Sequence, residues 1–322
     1  SHAPQRESIS DVLKKYKEAT GKDVINENLS TAVPNSIPKS PVMNPQEYEQ
    51  MMSKETDPDL MTSYEIVKLP SKGVFYQHKL SEVAVEYMTS RDEDLITTPS
   101  LIDSGELLNM LLKRKIKTPG IKPEELLAGD RNAIILFLRI SSYGADYSVQ
   151  VTDPRNGITF PSKVDLQQLK YKELTEMPDE NGHFKVEIPM RKKVVTFRLL
   201  TSGEDAVIFK KAEAVKDAYA QEFSDYPTMK LKAHIIAIDG KTDRSYIDKF
   251  VDAMPALDAV TIRRKVMAVS PDVDMKYEFT AKDGYKFEAF LTLGLDFFLK
   301  INKRVIIKKW LMKKSNSKKK NI

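Results

Sequence analysis

The order of structural elements repeats along the chain, and this repetition constrains the fold more than any other feature of the sequence. In the first half, Asp130-Arg131 begins an apolar helical segment, which precedes a turn at 153–157. In the second half, Asp258 and then Arg263-Arg264 begin a similar pattern, which precedes a turn at 281–284. Alternating apolar residues flank each turn, as they do in a β-hairpin. The sequence therefore predicts a divergent internal duplication in which a helix is followed by a hairpin.

The remaining patterns predict an α+β fold, with two related units of helices packed on short antiparallel β-hairpins. Alternating residues predict strands at 64–69, 83–88, 147–151, 184–188, 194–199, 275–280 and 285–290, and a strand that returns from Ile158. Helices are expected at 89–94, 107–112, 131–140, 203–223, 229–238, 243–253 and 255–268. The helix at 131–140 is apolar on nearly all sides, which indicates that it is buried.

Six residues are expected to stabilise local structure: Pro70, Gly73, Asp130, Arg131, Gly157 and Gly284. The first two belong to a turn after the first strand, and the last two close the hairpin turns. Asp130 is a good N-cap for the helix that follows it. A cation at the start of a helix is unfavourable unless it is paired. We therefore expect Arg131 to bind a nearby acid, either Asp103 or Glu106.

Composition divides the chain into four parts. An N-terminal helix and an extended proline-rich arm occupy 1–63, and a first helix-plus-hairpin unit occupies 64–175. A second such unit occupies 176–299, and a basic tail occupies 300–322. Residues 25–63 have little periodicity and several prolines, which favours an extended path over a folded domain.

The N-terminal helix has one apolar face. Its residues follow the spacing i, i+3, i+4 and i+7, at Ile9, Val12, Leu13 and Tyr16. A short helix of this kind does not bury its apolar face alone. Two interpretations remain open: a frayed terminal helix, or a helix that docks on a partner.

The basic charge of the protein is concentrated in the C-terminal tail. Residues 300–322 contain ten Lys or Arg residues and no acid, whereas the whole chain has a net charge of +5. The rest of the chain therefore has a net charge of −5. Apolar clusters alternate with the basic residues, and the candidate contact residues are Lys303, Arg304, Ile306, Lys308, Lys309, Trp310 and Leu311. The tail could bind an acidic protein, a nucleic acid or an anionic membrane, or it could remain solvated.

The sequence offers few groups for catalysis or metal binding. The chain has no cysteine, and its four histidines are scattered at 2, 78, 183 and 234. It therefore lacks disulfides and thiolate zinc sites, and no two histidines form a ligand pair on one element. Gly240-Lys241-Thr242 lacks the earlier glycine of a phosphate-binding loop. We expect no enzymatic activity, no cofactor and no metal, and no apolar run approaches the length of a membrane span.

A series of short segments occurs in a specific order. It begins with Leu69-Pro70-Ser71-Lys72-Gly73, and it continues through 87–94, 100–105, 126–133, 139–144, 254–258, 271–275 and Phe297-Phe298. Together these segments resemble the baseplate hub protein family of T-even-type contractile-tailed bacteriophages, over about residues 66–299. The arm and the basic tail lie outside the resemblance.

The chain departs from that family at its hairpin turns. Many relatives carry Cys-x-x-Cys pairs there, as small zinc-ribbon-like knuckles, whereas this chain has no cysteine at 153–157 or 281–284. Metal binding is therefore not carried over from the resemblance. The hairpins are expected to rely on hydrogen bonds and on apolar residues such as Tyr147, Val149, Phe279 and Phe287.

The resemblance implies a virion structural protein of a myovirus, made late and assembled in the host cytoplasm into the hub or wedge region of the tail baseplate. Its implied partners are other baseplate or hub proteins, with the tape-measure protein and further copies of the chain as additional options. One alternative is a transient assembly chaperone that is absent from the mature virion. A second alternative is a nucleic-acid-binding module that acts through the basic tail, although the sequence contains no RNA or DNA motif.

Overall fold

The computed structural model of the protein describes residues 62–76, 79–98, 101, 106–219, 222–291 and 297–298. All of these residues belong to one compact unit. The N-terminal helix, the arm up to residue 61 and the basic tail lie outside the described residues, as does Asp103. All of the candidate partner-binding residues of the sequence analysis fall in these segments.

The strands form small antiparallel sheets. Their bounds are β1 Tyr64–Lys68, β2 Glu82–Glu86, β3 Asp146–Thr152, β4 Thr159–Asp165, β5 His183–Glu187, β6 Val194–Arg198, β7 Ile235–Ile238, β8 Lys276–Thr280 and β9 Lys286–Phe290. The sheet orders are β1-β2, β3-β4, β5-β6-β7 and β8-β9. The hairpins predicted from alternation and turn residues are therefore present in both halves.

The helices connect these hairpins. Their bounds are α1 Ser90–Ile96, α2 Leu107–Lys115, α3 Ala128–Tyr143, α4 Ser202–Ala218, α5 Tyr226–His234, α6 Arg244–Asp252 and α7 Ala256–Val269. Short 3₁₀ turns occur at Pro123–Glu125 and Leu166–Gln168. The α+β class predicted from the sequence is confirmed.

Helix α3 is the centre of the first half. Ile134 and Leu138 are fully buried in it, and Ile135 is nearly so, which confirms the burial predicted from its apolar composition. The expected N-cap was wrong, because the helix begins at Ala128 and Leu127 occupies the N-cap position. Asp130 is instead the third residue of the helix, where its side chain is free to bind another segment.

The core of the second half surrounds β6 and β7. The helix expected at 229–238 was wrong in its second part, because Ile235–Ile238 is a strand that pairs with β6. Three isoleucines in four residues favour a strand, and the neighbouring β6 offers an edge for pairing. The buried residues of this core are Ile188, Val195, Leu231, Ile235, Ile238, Ile247, Phe250, Val251, Ala259 and Ile262.

The two halves contact each other directly. Isolated β-bridges join Leu127 to Thr201 and Tyr171 to Val273. The two halves also lie close together at Gly129, where an added Cβ atom would lie only 1.9 Å from the backbone oxygen of Pro271. The absence of a side chain at Gly129 therefore permits this packing. The exact boundaries of the two proposed units stay a prediction.

Candidate interaction site

Asp130 connects helix α3 to the turn that follows β1. Its Oδ1 accepts a hydrogen bond from the backbone N–H of Ser71 at 2.9 Å. Its Oδ2 accepts one from the hydroxyl of Tyr76 at 2.5 Å, and the Tyr76 oxygen in turn accepts the N–H of Leu127 at 2.9 Å. The carboxylate is completely buried. One side chain therefore fixes the turn against the start of the helix.

Burial changes the protonation equilibria of this pair. Desolvation raises the pKa of Asp130 above its ordinary value, and the hydrogen bonds from Tyr76 and Ser71 only partly offset that increase. Desolvation also raises the pKa of Tyr76, and the negative charge of Asp130 raises it further. Tyr76 therefore remains a hydrogen-bond donor at all ordinary pH values, as this contact requires.

The turn itself depends on Pro70 and Gly73. Pro70 is buried, and Gly73 has a φ of +74°. A Cβ atom on Gly73 would also lie 2.3 Å from the backbone oxygen of Lys79. Glycine is thus required by both the backbone conformation and the available space.

Asp258 forms the corresponding anchor in the second half. Its Oδ1 accepts the backbone N–H of Met190 at 2.7 Å, and its Oδ2 accepts the N–H of Arg191 at 3.1 Å. These amides belong to the turn between β5 and β6. Asp258 is completely buried, as Asp130 is.

The two anchors occupy equivalent positions in sequence and in structure. Each aspartate is the third residue of its helix, α3 or α7. The turns that they bind begin with Leu69-Pro70 and Ile188-Pro189, and the first anchored amide follows the proline in both. This agreement supports the internal duplication and extends it to the hairpins β1-β2 and β5-β6. The proline at the start of each turn is the sequence signal that could have predicted these related first hairpins.

Two further hairpins lie against each other through Arg155. Its Nη2 is 2.7 Å from Oδ2 of Asp153 in its own turn and 2.8 Å from Oδ2 of Asp283 in the turn between β8 and β9. The guanidinium also lies over the ring of Tyr285, with its central carbon 3.9 Å from the ring centroid. The hydrogen bonds from Arg155 lower the pKa of both carboxyl groups below their ordinary values. An arginine therefore links the turns of the two hairpins.

Gly157 and Gly284 close these turns as expected. Both have positive φ angles, and their N–H groups donate to the backbone oxygens of Asp153 and Ala281, at 2.9 Å in each case. Behind the turns, the rings of Phe160 and Phe287 meet edge to face. The residues of the turns do not fit a zinc site, because they supply no thiolate or imidazole ligand.

A buried charge cluster stabilises the first half. Lys115 Nζ lies 2.6 Å from Oδ2 of Asp92 and 3.0 Å from Oε2 of Glu86, and Lys115 and Asp92 are almost completely buried. Burial alone would raise the pKa of Asp92, but the hydrogen bonds from Lys115 and Thr89 lower it below the ordinary value. No sequence pattern indicates this cluster, because Lys115 and Asp92 belong to different helices.

Arg131 is the remaining residue singled out from the sequence. Desolvation lowers its pKa, and the carboxylates of Glu124 and Glu106 partly offset that decrease. Glu106 also forms an ion pair with Lys210 of helix α4 at 2.8 Å. The carboxylates near Arg131 thus include Glu106, one of the two expected acids, and add Glu124.

Helix α4 presents an exposed face of apolar and small residues that also includes one lysine. Of its seventeen residues, Ala212 alone is buried. Val207, Lys211, Ala214 and Ala218 are exposed at the spacing i, i+4, i+7 and i+11, so they share one side of the helix, the α4 face. The helix begins with a capping box formed by Thr201 and Glu204. The α4 face therefore exposes Val207, Ala214 and Ala218 to solvent on one side of a capped helix.

A cleft lies between the start of α3 and the helices of the second half. Its volume is about 420 Å³, and its lining includes Leu127, Gly129, Leu231, His234 and Met267. His234 is buried, and desolvation lowers its pKa while Nδ1 lies 2.7 Å from the backbone oxygen of Arg198. The cleft is largely apolar, and burial disfavours the charged form of its imidazole.

The described part of the chain contains no cluster of three or more His, Asp or Glu residues placed to bind a metal ion. Within the same residues, no helix has the length and hydropathy needed to cross a membrane. The features that the structure does present are two anchored helix–hairpin halves, the exposed α4 face and an apolar cleft.

These features define an α+β protein built from two related helix–hairpin halves. The chain belongs to the T4 bacteriophage base plate protein family, because the model of that family matches residues 61–299. The family assigns the chain to the phage baseplate. No curated protein and no solved structure matches the chain significantly.

Proposed function

We propose that the protein is a structural component of the baseplate of a contractile phage tail, in the hub or wedge region, and that it acts by protein–protein interaction without catalysis. The α4 face carries this proposal. A seventeen-residue helix with a single buried side chain would expose Val207 and Ala214 to water unless a partner covers them. The partners would be other baseplate proteins, and the tape-measure protein is a further candidate.

The anchors explain how such a protein could serve as a rigid connector. Asp130 and Asp258 each fix a hairpin turn to a helix through buried hydrogen bonds. Buried carboxylates with two donors are strongly bound, because an unpaired buried charge is costly. We therefore expect each hairpin turn to stay fixed to its helix when a partner binds at the surface.

The basic tail supplies a second proposed contact. Residues 300–322 carry ten positive charges, and their apolar clusters include Ile306, Trp310 and Leu311. We infer that they bind an acidic surface in the assembly. In the same way, the face formed by Ile9, Val12, Leu13 and Tyr16 would dock on a neighbour rather than remain frayed.

The test compares tails that carry different variants of the protein. Val207→Glu and Ala214→Glu together place two charges on the α4 face, whereas the control Met177→Glu places one at an exposed apolar residue in a loop. We expect the double variant to fold normally and to be depleted from purified tails, and the control to assemble. Normal incorporation of the double variant would exclude the α4 face as a contact. Absence of the wild-type protein from mature tails would overturn the structural role in favour of a transient assembly chaperone.

A further inference from the structure

Strand β1 is the open edge of its sheet. The N–H of Leu69 donates to the oxygen of Ser81 at 2.8 Å, and the N–H of Tyr87 donates to that of Ser63 at 3.0 Å. These bonds assign the odd-numbered residues of β1 to the bonded pairs of the antiparallel ladder. Ile66 therefore directs its N–H and C=O away from β2. In the part of the chain that the structure describes, neither group has a hydrogen-bond partner.

The opposite edge of the same sheet is covered at its centre. The N–H of Ala84 donates to Oγ1 of Thr118 at 2.8 Å, and the oxygen of Ala84 accepts the N–H of Lys117 at 2.9 Å. On the β1 side, the oxygen of Lys68 accepts a hydrogen bond from the Tyr171 hydroxyl at 2.8 Å. The protein thus covers the centre of the β2 edge, at Ala84, but covers the β1 edge only at Lys68. An uncovered strand edge is a template for pairing with another chain.

An apolar groove runs beside this open edge. It has a volume of about 480 Å³, and its lining includes Ile66, Leu136, Phe137, Ile140 and Leu169. The groove lies between the strand edge, helix α3 and the segment after β4. It can therefore receive alternate side chains of a strand that pairs with β1.

The rim of the groove is basic. Lys68 and Lys170 both line it, and both are exposed. Neither lysine side chain has an ion-pair partner among the described residues. A segment that pairs with β1 would be favoured by an acidic residue near these ammonium groups.

We propose that an extended segment of another baseplate protein binds here as a third strand. Its backbone would bond to the outward N–H and C=O of Ile66, its apolar side chains would occupy the groove, and an acidic residue would face Lys68 and Lys170. This is recognition by β-strand addition, in which backbone bonds give affinity and side-chain pockets give specificity. The inference rests on the proposed function, because it names the chemistry of one baseplate partner.

The substitution Ile66→Pro tests the backbone contact. Proline removes the outward N–H but no bond of the β1-β2 ladder, and edge strands tolerate proline at such positions. The matched control Ile66→Thr keeps the N–H and the preference for strand. We expect Ile66→Pro to lower incorporation into purified tails by about tenfold or more, and Ile66→Thr to change it by less than about twofold. Equal incorporation of both folded variants would overturn the proposal.

A second measurement does not depend on the folding of a variant. Hydrogen exchange of the full-length protein should show a fast Ile66 amide in the free state. In purified tails the same amide should exchange at least about tenfold more slowly. An unprotected Ile66 amide in tails that contain the protein would overturn the strand-addition proposal alone. If the tails lack the protein, the proposed function itself is wrong.

The identity of the occupant is tested by photo-cross-linking in tails. A benzophenone amino acid at Gln167, an exposed residue of the groove, should link to an extended acidic and apolar segment of another tail protein. A cross-link to a second copy of this chain, or to its own residues 1–61, would overturn the proposed partner.

Discussion

Arg155 and Asp283 lie 128 residues apart in the sequence, yet Nη2 of the arginine is 2.8 Å from Oδ2 of the aspartate. Their contact joins the turn of β3-β4 to that of β8-β9, the same hairpin in each of the two halves. Tyr285 adds a stacking surface beneath the guanidinium. The duplicated hairpins of this chain are thus connected by an ion pair and aromatic contacts.

The ion pair between Arg155 and Asp283 should make a small but measurable contribution to the stability of the protein. We expect Arg155→Met and Asp283→Asn to destabilise the protein slightly, because the groups are exposed and screened by water. A double-mutant cycle of urea unfolding should give a small favourable coupling that decreases when salt is raised. A coupling that is absent at low salt would contradict the contact.

Gly129 should be hard to replace because of the space around it. A Cβ atom there would meet the oxygen of Pro271 at 1.9 Å, so Gly129→Ala should cost roughly 3 kcal/mol through overpacking. The control is Gly157→Ala, where φ is +72° but nothing lies within 4 Å of the added atom. Backbone strain alone should cost about 1 kcal/mol there. Equal free energies of unfolding for the two variants would refute the role of close packing.

The buried face of α3 provides a test of core packing. Leu138 is fully buried, so Leu138→Ala should lower the free energy of unfolding by about 2–5 kcal/mol. Ser141 lies on the exposed side of the same helix, and Ser141→Ala should change stability by less than about 0.5 kcal/mol. Thermal or urea unfolding of both variants measures the difference. A loss at Leu138 no larger than that at Ser141 would show that α3 is not a core helix.

Asp92 and Asp130 should give opposite dependences of stability on pH. The folded pKa of Asp92 is lowered, so its stabilisation is present above the unfolded pKa and is lost as the pH falls through the folded pKa. The folded pKa of Asp130 is raised, so its ionisation opposes folding, and stability is regained as the pH falls from the folded pKa to the unfolded one.

The two effects are separated by urea unfolding between neutral and acidic pH. Relative to the wild type, Asp92→Asn should remove a loss of stability on acidification, and Asp130→Asn should remove a gain. If both variants changed the pH dependence of stability in the same direction relative to the wild type, the environments assigned to Asp92 and Asp130 would be wrong.

Removal of the basic tail should separate folding from assembly. Truncation after Phe298 deletes all ten basic residues of 300–322 and removes none of the residues that the structure describes. We expect unchanged circular dichroism and thermal unfolding, together with weaker incorporation into the baseplate. Undiminished incorporation, or preference of the full-length protein for DNA over its tail partners at physiological salt, would contradict the proposed acidic partner.

The sequence alone determined the class of fold and most of its local structure. The hairpins could be predicted from alternating apolar residues and glycine turns. A strand with one buried face needs such alternation, and a positive φ angle favours glycine. The burial of Ile134 and Leu138 was equally visible, since a helix that is apolar on nearly all sides must be enclosed. The sequence also predicted the internal duplication, although only for one helix in each half and the hairpin that follows it.

The tertiary structure decided which of those elements contact and pair with one another. Asp130 resembled an N-cap in sequence, but its carboxylate binds a turn 59 residues away, because the helix begins two residues earlier. Ile235–Ile238 became a strand because β6 offers it a pairing edge, which no local pattern records. The open edge at Ile66 likewise exists only because its sheet ends there. Local propensity acts over a few residues, whereas anchors, sheet edges and ion pairs depend on segments that meet only in the folded chain.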